Sequence, residues 1–488
     1  QLSQIANNIS LPLNTLEGVL SSSGKLKINN GTPDGGEIYL AADNLILQLS
    51  KDEDAIALGR LETNLTQETD GGLISVTTKT FAWRQIDSSK FTPLENLSPM
   101  TFRWRPPTGD GEIKEFGFSS PKILVEDAAL FALNLPLSKK VHRWIKASQA
   151  DGELQDIDIN WTESKSPLSG LNIPGEWFKS HKLDFTVSGK LINLSFVGIN
   201  KAMPSVSNLS GFITANQNKG NLSLKSNNFE IEVNDLLVDP KIKLDQASGQ
   251  ISWEKQKGNW VINAKGLELN NPEISTTLNL SYIIGDEKKP DFMTLDMDFA
   301  RANLKTAHRY LPVGMGADAK TYLTKAFDGG AIRKGNLHIK GNPSDVPFSK
   351  AGTGEFTLNL SIADAIFHPV PGTSTEIGIW PAFNKVNGVI NMQNANFTVD
   401  IDQANYKQVA LSKFHAEIPN VSAKQLLLTV NGEAQGDAPQ LLDYLFASPV
   451  GKKQIELERN LKVTGPTNLN LGLKIPLTGN GEINTDVL

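Results

Sequence analysis

The sequence predicts a mainly β chain built from antiparallel strands, and three observations carry that prediction. Apolar residues recur at every second position in one segment after another, the period of a strand that turns one face toward an apolar environment. Asn-Gly, Asp-Gly and Gly-Gly clusters punctuate the chain as tight turns do. Helical spacing is confined to a few short stretches, too few to supply the crossover helices of a parallel sheet.

In chain order, the alternation is legible at Leu45, Leu47 and Leu49, at Phe229, Ile231 and Val233, and at Ile274, Thr276, Leu278 and Leu280. It continues at Met293, Leu295, Met297 and Phe299, then at Phe356, Leu358, Leu360 and Ile362, where Thr357, Asn359 and Ser361 take the opposite face. The last sets are Phe397, Val399 and Ile401; Leu426, Leu428 and Val430; and Leu469, Leu471, Leu473 and Ile475. Turns are expected at Asn30-Gly31, Asp70-Gly71-Gly72, Asn216 to Gly220, Asn387-Gly388 and Asn431-Gly432. Three helices are expected: 138–149 with Val141, Trp144 and Ile145 on one side, 317–327 before Gly329-Gly330, and 438–446 behind an Asp437 N-cap.

The 488 residues, 39% hydrophobic and 20% charged, can bury a large core and are not disordered by composition. The net charge is 47 − 53 = −6, with no basic block that would track a phosphate backbone, so nucleic acid is excluded as the expected partner. No cysteine is present, which removes disulfides, thiolate metal sites and thiol nucleophiles. No stretch approaches the roughly 20 apolar residues that span a bilayer, and the first residues lack the pattern of a signal peptide.

Catalytic machinery is not legible. His142, His181, His308, His338, His368 and His415 are dispersed, with no metal-ligand spacing. Neither a phosphate-binding loop nor a nucleophile elbow occurs, and Gly314-Met315-Gly316 reads as the start of a helix. Asp296 and Asp298 share a strand face and read as solvated outer positions. The eight tryptophans, Trp83, Trp104, Trp144, Trp161, Trp177, Trp253, Trp260 and Trp380, read as core. No enzyme activity, cofactor or metal is expected.

Two architectures satisfy the alternation. Sheets packed face to face would bury the apolar stripes against each other, making a structural or adhesive protein of sandwich domains. A curved sheet that does not close would leave an apolar inner face to be filled by something else, and acyl chains need no specific polar contact to do so. Periodicity alone favours the sandwich as the simpler reading. The absence of long Gly/Ser-rich or Pro-rich linkers speaks for the continuous sheet.

From about Tyr310 onward the sequence resembles a known family. The residues that carry the likeness are the helix Ala319 to Phe327 running into Asp328-Gly329-Gly330, then Lys334-Gly335-Asn336-Leu337 and Ile339-Lys340-Gly341. Pro347-Phe348, Gly354-Glu355-Phe356, Trp380-Pro381 ahead of Gly388, and Ala447-Ser448-Pro449 follow. The chain is similar over this region to the AsmA-like proteins of Gram-negative envelopes. It departs from their usual form at Val346 and in an insertion at Thr373 to Ile379.

The resemblance implies a long, curved and twisted antiparallel sheet forming an open hydrophobic groove with a few short helices. Residues 1–300 would be its first part and 301–488 the part carrying the likeness, in one continuous architecture. It implies intermembrane phospholipid transport across the periplasm, in support of outer-membrane lipid homeostasis and barrier integrity. The expected partners are phospholipid acyl chains, the inner and outer membranes, and envelope proteins. The expected location is the periplasm, with this sequence an interior fragment of a chain anchored in the inner membrane elsewhere. The lipid-facing candidates are Met293, Leu295, Met297 and Phe299; Phe356, Leu358, Leu360 and Ile362; Phe397, Val399 and Ile401; and Leu469, Leu471, Leu473 and Ile475.

Overall fold

In a computed structural model of the chain the period-two segments are strands, and nearly all of them pair with their sequence neighbours in antiparallel ladders. The structure describes residues 15–29, 32–48, 56–70, 72–85, 95–97, 99–105, 115–133, 139–163, 183–198, 204–234, 236–286, 289–371, 380–447, 462–477 and 484–487. The expected Asn30-Gly31 turn and Leu49 lie outside them. The chain forms two units, Gln1–Glu232 and Val233–Leu488.

In the first unit β1 (Thr15–Asn29), β2 (Thr32–Gln48), β3 (Ile56–Asp70) and β4 (Leu73–Gln85) pair in sequence. Of the expected Asp70-Gly71-Gly72 turn, Asp70 ends β3 and Gly72 precedes β4, while Gly71 lies outside the described residues. β4 then pairs with both β5 (Glu95–Leu97) and β6 (Met100–Trp104), and β6 pairs with β7 (Glu115–Leu124). Two helices, α1 (Val125–Ala132) and α2 (Lys139–Ser148), stand between β7 and β8 (Asp151–Glu163). The ladder ends with β9 (Leu183–Phe196), β10 (Ser205–Asn216) and β11 (Lys219–Glu232), the last two joined by the expected turn after Asn216.

Helix α1 is not among the helices expected from the sequence. Its signal is Glu126 and Asp127 in the first turn followed by the helix-forming Ala128, Ala129, Leu130 and Phe131. Phe131 meets Phe81 and Trp83 edge-on at centroid distances of 5.4 and 5.2 Å, covering a core of Ala42, Leu45, Leu58 and Trp83.

The second unit continues the pattern with β12 (Lys241–Gln256), β13 (Asn259–Asn270), β14 (Ile274–Ile283), β15 (Phe292–Asn303), β16 (Phe327–Gly341) and β17 (Gly354–Phe367). Then come β18 (Phe383–Gln393), β19 (Asn396–Tyr406), β20 (Val409–Ile418), β21 (Leu427–Asp437), β22 (Pro466–Pro476) and β23 (Asn484–Val487). Each pairs antiparallel with the next. Among the described residues no pairing returns from β23 to β12, so the sheet is open. The boundary expected between residues 300 and 301 lies inside β15. Helix α3 (Ala317–Ala326) connects β15 to β16, and α4 (Ala438–Ala447) follows β21. Because the pairing alternates strictly, both helices stand at the same end of the strands, called here the helical end; short turns and loops such as those after β12 and β18 mark the hairpin end.

Two expected turns are strand interior instead. Asn387-Gly388 lies within β18, where a Cβ on Gly388 would stand 2.2 Å from the Asp400 carbonyl oxygen. Asn431-Gly432 lies within β21, and the Phe414 ring covers Gly432 so closely that a Cβ there would meet it at 2.5 Å. Both glycines permit close cross-strand approach rather than reversal.

Bulges set the curvature. In the second unit, ladder register shifts and left-handed residues occur at Gly249, Gly266, Asp364, Lys385 and Lys413, mostly within a few residues of the helical end. In the first unit Asp156, Asn193, Asn208 and Asn228 do the same near the end that carries α1 and α2. Most are Asn, Asp or Gly, the residues for which a positive φ costs least. Each bulge bends its strand and adds twist, and a column of them folds one end of a sheet inward. The loosened amides are caught by side chains: Asn193 N–H donates to Ser210 Oγ at 2.8 Å, and Ser210 N–H to the buried Ser226 Oγ at 2.7 Å. Asp364 N–H likewise reaches Asn387 Oδ1 at 3.2 Å.

Candidate functional site

Residues directly opposite one another in a ladder point to the same face, so register turns the separate apolar stripes into rows. In the second unit one row runs Ile251, Ala264, Leu280, Leu295, Ile339, Phe356. The next runs Leu267, Leu278, Met297, Leu337, Leu358, Met392, Phe397, Ile418. A third runs Phe299, Gly335, Leu360, Ile390, Val399, Ala416, Val430, Leu473. Met293 stands opposite Tyr282, while Leu471 and Ile475 flank Leu473 on the same face of β22. The fifteen or so sequence candidates thus share one continuous apolar surface of a single sheet.

That surface is covered unevenly. At the helical end Ile362 is 4% exposed in a core with Ile274, Ala302, Leu304, Ile332, Ala365, Val386, Ala404, Val409, Leu411 and Ala434. Phe299, Leu360, Ile401 and Leu469 pack against this core, as do Tyr310 and, from α4, Leu441. Met293, Leu295, Met297, Phe356, Leu358, Phe397, Val399, Leu471, Leu473 and Ile475 lie outside it and are half-exposed. The core of a filled sandwich would bury these side chains, so the sheet does not form the sandwich that periodicity alone favours.

The helical end is closed by aromatic and ionic contacts. Tyr444 of α4 stacks on Phe383 at 5.2 Å, meets Tyr406 edge-on at 4.9 Å and lies 6.1 Å from Trp380. Burial pushes the Tyr444 hydroxyl well above its ordinary pKa. The segment after β15 is fastened by Arg309, which donates to Asp239 Oδ2 at 2.9 Å and Glu273 Oε1 at 2.7 Å, and by Tyr310, which donates to Glu273 Oε2 at 3.0 Å.

The opposite face of the same strands is polar and paired. His338 Nδ1 lies 2.7 Å from Asp296 Oδ1, His415 Nδ1 lies 2.7 Å from Asp400 Oδ1, and Asn359 Nδ2 donates to Asn336 Oδ1 at 2.9 Å. Asp296 and Asp298 are exposed there, as their sequence positions imply. These cross-strand pairs, invisible to spacing, join residues that are ladder neighbours. The first unit has its own apolar rows, including Phe102, Phe118, Ile159, Val187, Ala215 and the tilted pair Phe116 and Trp161 at 5.2 Å.

The tryptophans divide. Trp83 is 1% exposed and is core; Trp144 on α2 is 43% exposed and is not, because it stands at the border of the helix's outward arc. Trp177 lies outside the described residues. Among the described residues no group of His, Asp and Glu could hold a metal ion, and no helix is long and apolar enough to cross a membrane.

The family described as YhdP protein matches residues 3–487. The chain belongs to the YhdP family. The "Intermembrane phospholipid transporter YhdP" of Escherichia coli (strain K12) is 24% identical over 282 residues, covering 57% of this chain and 21% of that relative. The matched stretch therefore covers only about a fifth of that relative's length. No solved structure matches. Family membership agrees with the resemblance carried by the helix at α3, the Gly329-Gly330 bend and the Phe348 loop. There the Phe348 ring, 1% exposed, lies against Gly341 and Gly354, where any Cβ would meet it below 3 Å.

Proposed function

We propose that this chain moves phospholipids between membranes, holding acyl chains on the apolar face of its sheet while headgroups stay at the open side. One observation carries the reading: a row-by-row continuous apolar surface that the protein itself leaves half-exposed. Water against such a surface is unfavourable, and each methylene buried there is worth about 0.8 kcal/mol without demanding a polar partner. The rows carry no fixed charges, so no position along them holds a lipid much more tightly than the next, which is what sliding requires.

Within this reading the half-exposed Met293, Leu295, Met297, Phe356, Leu358, Phe397, Val399, Leu471, Leu473 and Ile475 contact lipid. Phe299, Leu360, Ile362, Ile401 and Leu469 form the floor beneath it. The chain acts in the periplasm, exchanging lipid with the inner and outer membranes; the name of the Escherichia coli relative and the family membership support that setting. The rows do not discriminate among acyl chains, so the headgroup side sets any lipid preference.

Site-specific photocrosslinking tests the assignment of faces. A photoreactive residue at Leu358 or Phe397 is expected to capture phospholipid in cells, and one at Asn359 or Asp400 on the polar face is not. Equal capture from both faces would refute the reading.

A further inference from the structure

Helix α2 is unlike the rest of this acidic chain. Its ten residues include Lys139, Lys140, His142, Arg143 and Lys146 and no carboxylate. At 100° per residue Arg143, Lys146 and Ala147 occupy one arc, and all three are exposed, with Trp144 exposed at the border of that arc. Ile145 and Ser148 turn the other way. Ser148 is 2% exposed, its Oγ donates to the Ile145 carbonyl at 2.9 Å, and its own carbonyl accepts from Val197 N–H at 2.7 Å just beyond β9. The helix is thus fastened on one side and presents cations and an indole on the other.

Glu153 in β8, the strand that follows α2 in the chain, is already engaged: Lys122 Nζ lies 2.5 Å away and holds its carboxyl below the usual carboxylate range. No function derived above uses α2, which takes no part in the apolar rows.

We propose that α2 docks the protein on a bilayer surface rich in anionic phospholipids. Cations beside an amphipathic indole are what such an interface selects, because lysine and arginine gain from the negative surface potential while the ring settles at headgroup depth. Neither signal is strong alone, so the contact is reversible and weakens as salt screens it. The inference rests on the lipid-transport reading for the presence of a membrane within reach, but it uses different residues and fails separately.

Flotation of the whole chain with phosphatidylcholine vesicles, with and without phosphatidylglycerol, tests it. Binding is expected only with phosphatidylglycerol, and it is expected to fall as salt is raised. The Arg143→Glu/Lys146→Glu double variant should bind at least roughly 30-fold more weakly. Trp144→Ala should bind several-fold more weakly, while Arg143→Lys should bind like the parent. All three altered positions are outward-facing, and far-UV circular dichroism checks that the fold is kept. The groove variant Leu358→Asp should float with the vesicles like the parent even though it carries no lipid. Binding that ignores phosphatidylglycerol, or a double variant that floats like the parent, overturns the proposal. A parent that floats as expected but carries no bound lipid would instead overturn the transport reading and leave the helix assignment standing.

Discussion

Ile362 and Leu358 point to the same face of the same strand, four residues apart, and have opposite surroundings. Ile362, toward the helical end, is 4% exposed among residues contributed by neighbouring strands, with α4 packed over the same core. Leu358, toward the hairpin end, is only half-buried, with Leu337 and Met392 beside it in its row, and lies outside that core. The bulge at Asp364 and its counterparts in adjacent strands produce the difference, because bending each strand near one end brings that end's side chains together and leaves the other end splayed. Identical alternation therefore yields core at one end and a half-buried apolar wall at the other.

The largest expected effect follows directly. Ile362→Asp would place a charge where it is neither hydrated nor paired, and should destabilise the second unit by about 4 kcal/mol or prevent its folding. Leu358→Asp should cost no more than about 1.5 kcal/mol, since the carboxylate stays in contact with water, yet should abolish lipid occupancy. Thermal denaturation alongside lipid extraction separates the two. If both variants unfold alike, the hairpin end is core too and the comparison collapses.

Next in size, Tyr444→Ala removes the ring that joins Phe383, Tyr406 and Trp380 and should lower stability by about 3 kcal/mol in denaturant titration. Tyr444→Phe should cost under about 1 kcal/mol, because ring contact rather than the hydroxyl closes that end. A smaller loss of about 1–2 kcal/mol is expected from Ser226→Ala, which leaves the Ser210 amide at a bulge without its acceptor. Faster hydrogen exchange at Ser210 would locate the effect. Smallest of all, Asp296→Ala removes an exposed partner of His338 on the polar face and should shift stability by less than about 0.5 kcal/mol without changing lipid content.

Much of this was legible in the sequence, and what was not has a physical reason. Strands announce themselves locally, since a side-chain period of two is a property of consecutive residues, and Met293 to Phe299 or Leu469 to Ile475 could be placed without any partner. The helices at α2, α3 and α4 were visible through spacing and their flanking breakers. The depth of each apolar residue was not, because it depends on where the strand bends. The Asn and Asp residues inside strands, such as Asn193, Asn208 and Asp364, were the available clue, being poor strand formers that accept a left-handed backbone. Gly388 and Gly432 misled for the same reason: a glycine beside asparagine serves a turn or a close cross-strand approach equally well. Helix α1 escaped because its Ala128 to Phe131 run is too short for periodicity to separate helix from strand. The choice between sandwich and open sheet needed the family likeness, as alternation is common to both.

The most direct test of the central claim is native mass spectrometry of the purified chain, with extraction and identification of whatever lipid it carries. Several phospholipids per chain, lost in Leu358→Asp and retained in Asp296→Ala, is the result expected of an apolar face that holds acyl chains. A folded, monodisperse chain free of lipid from a phospholipid-rich envelope would contradict it.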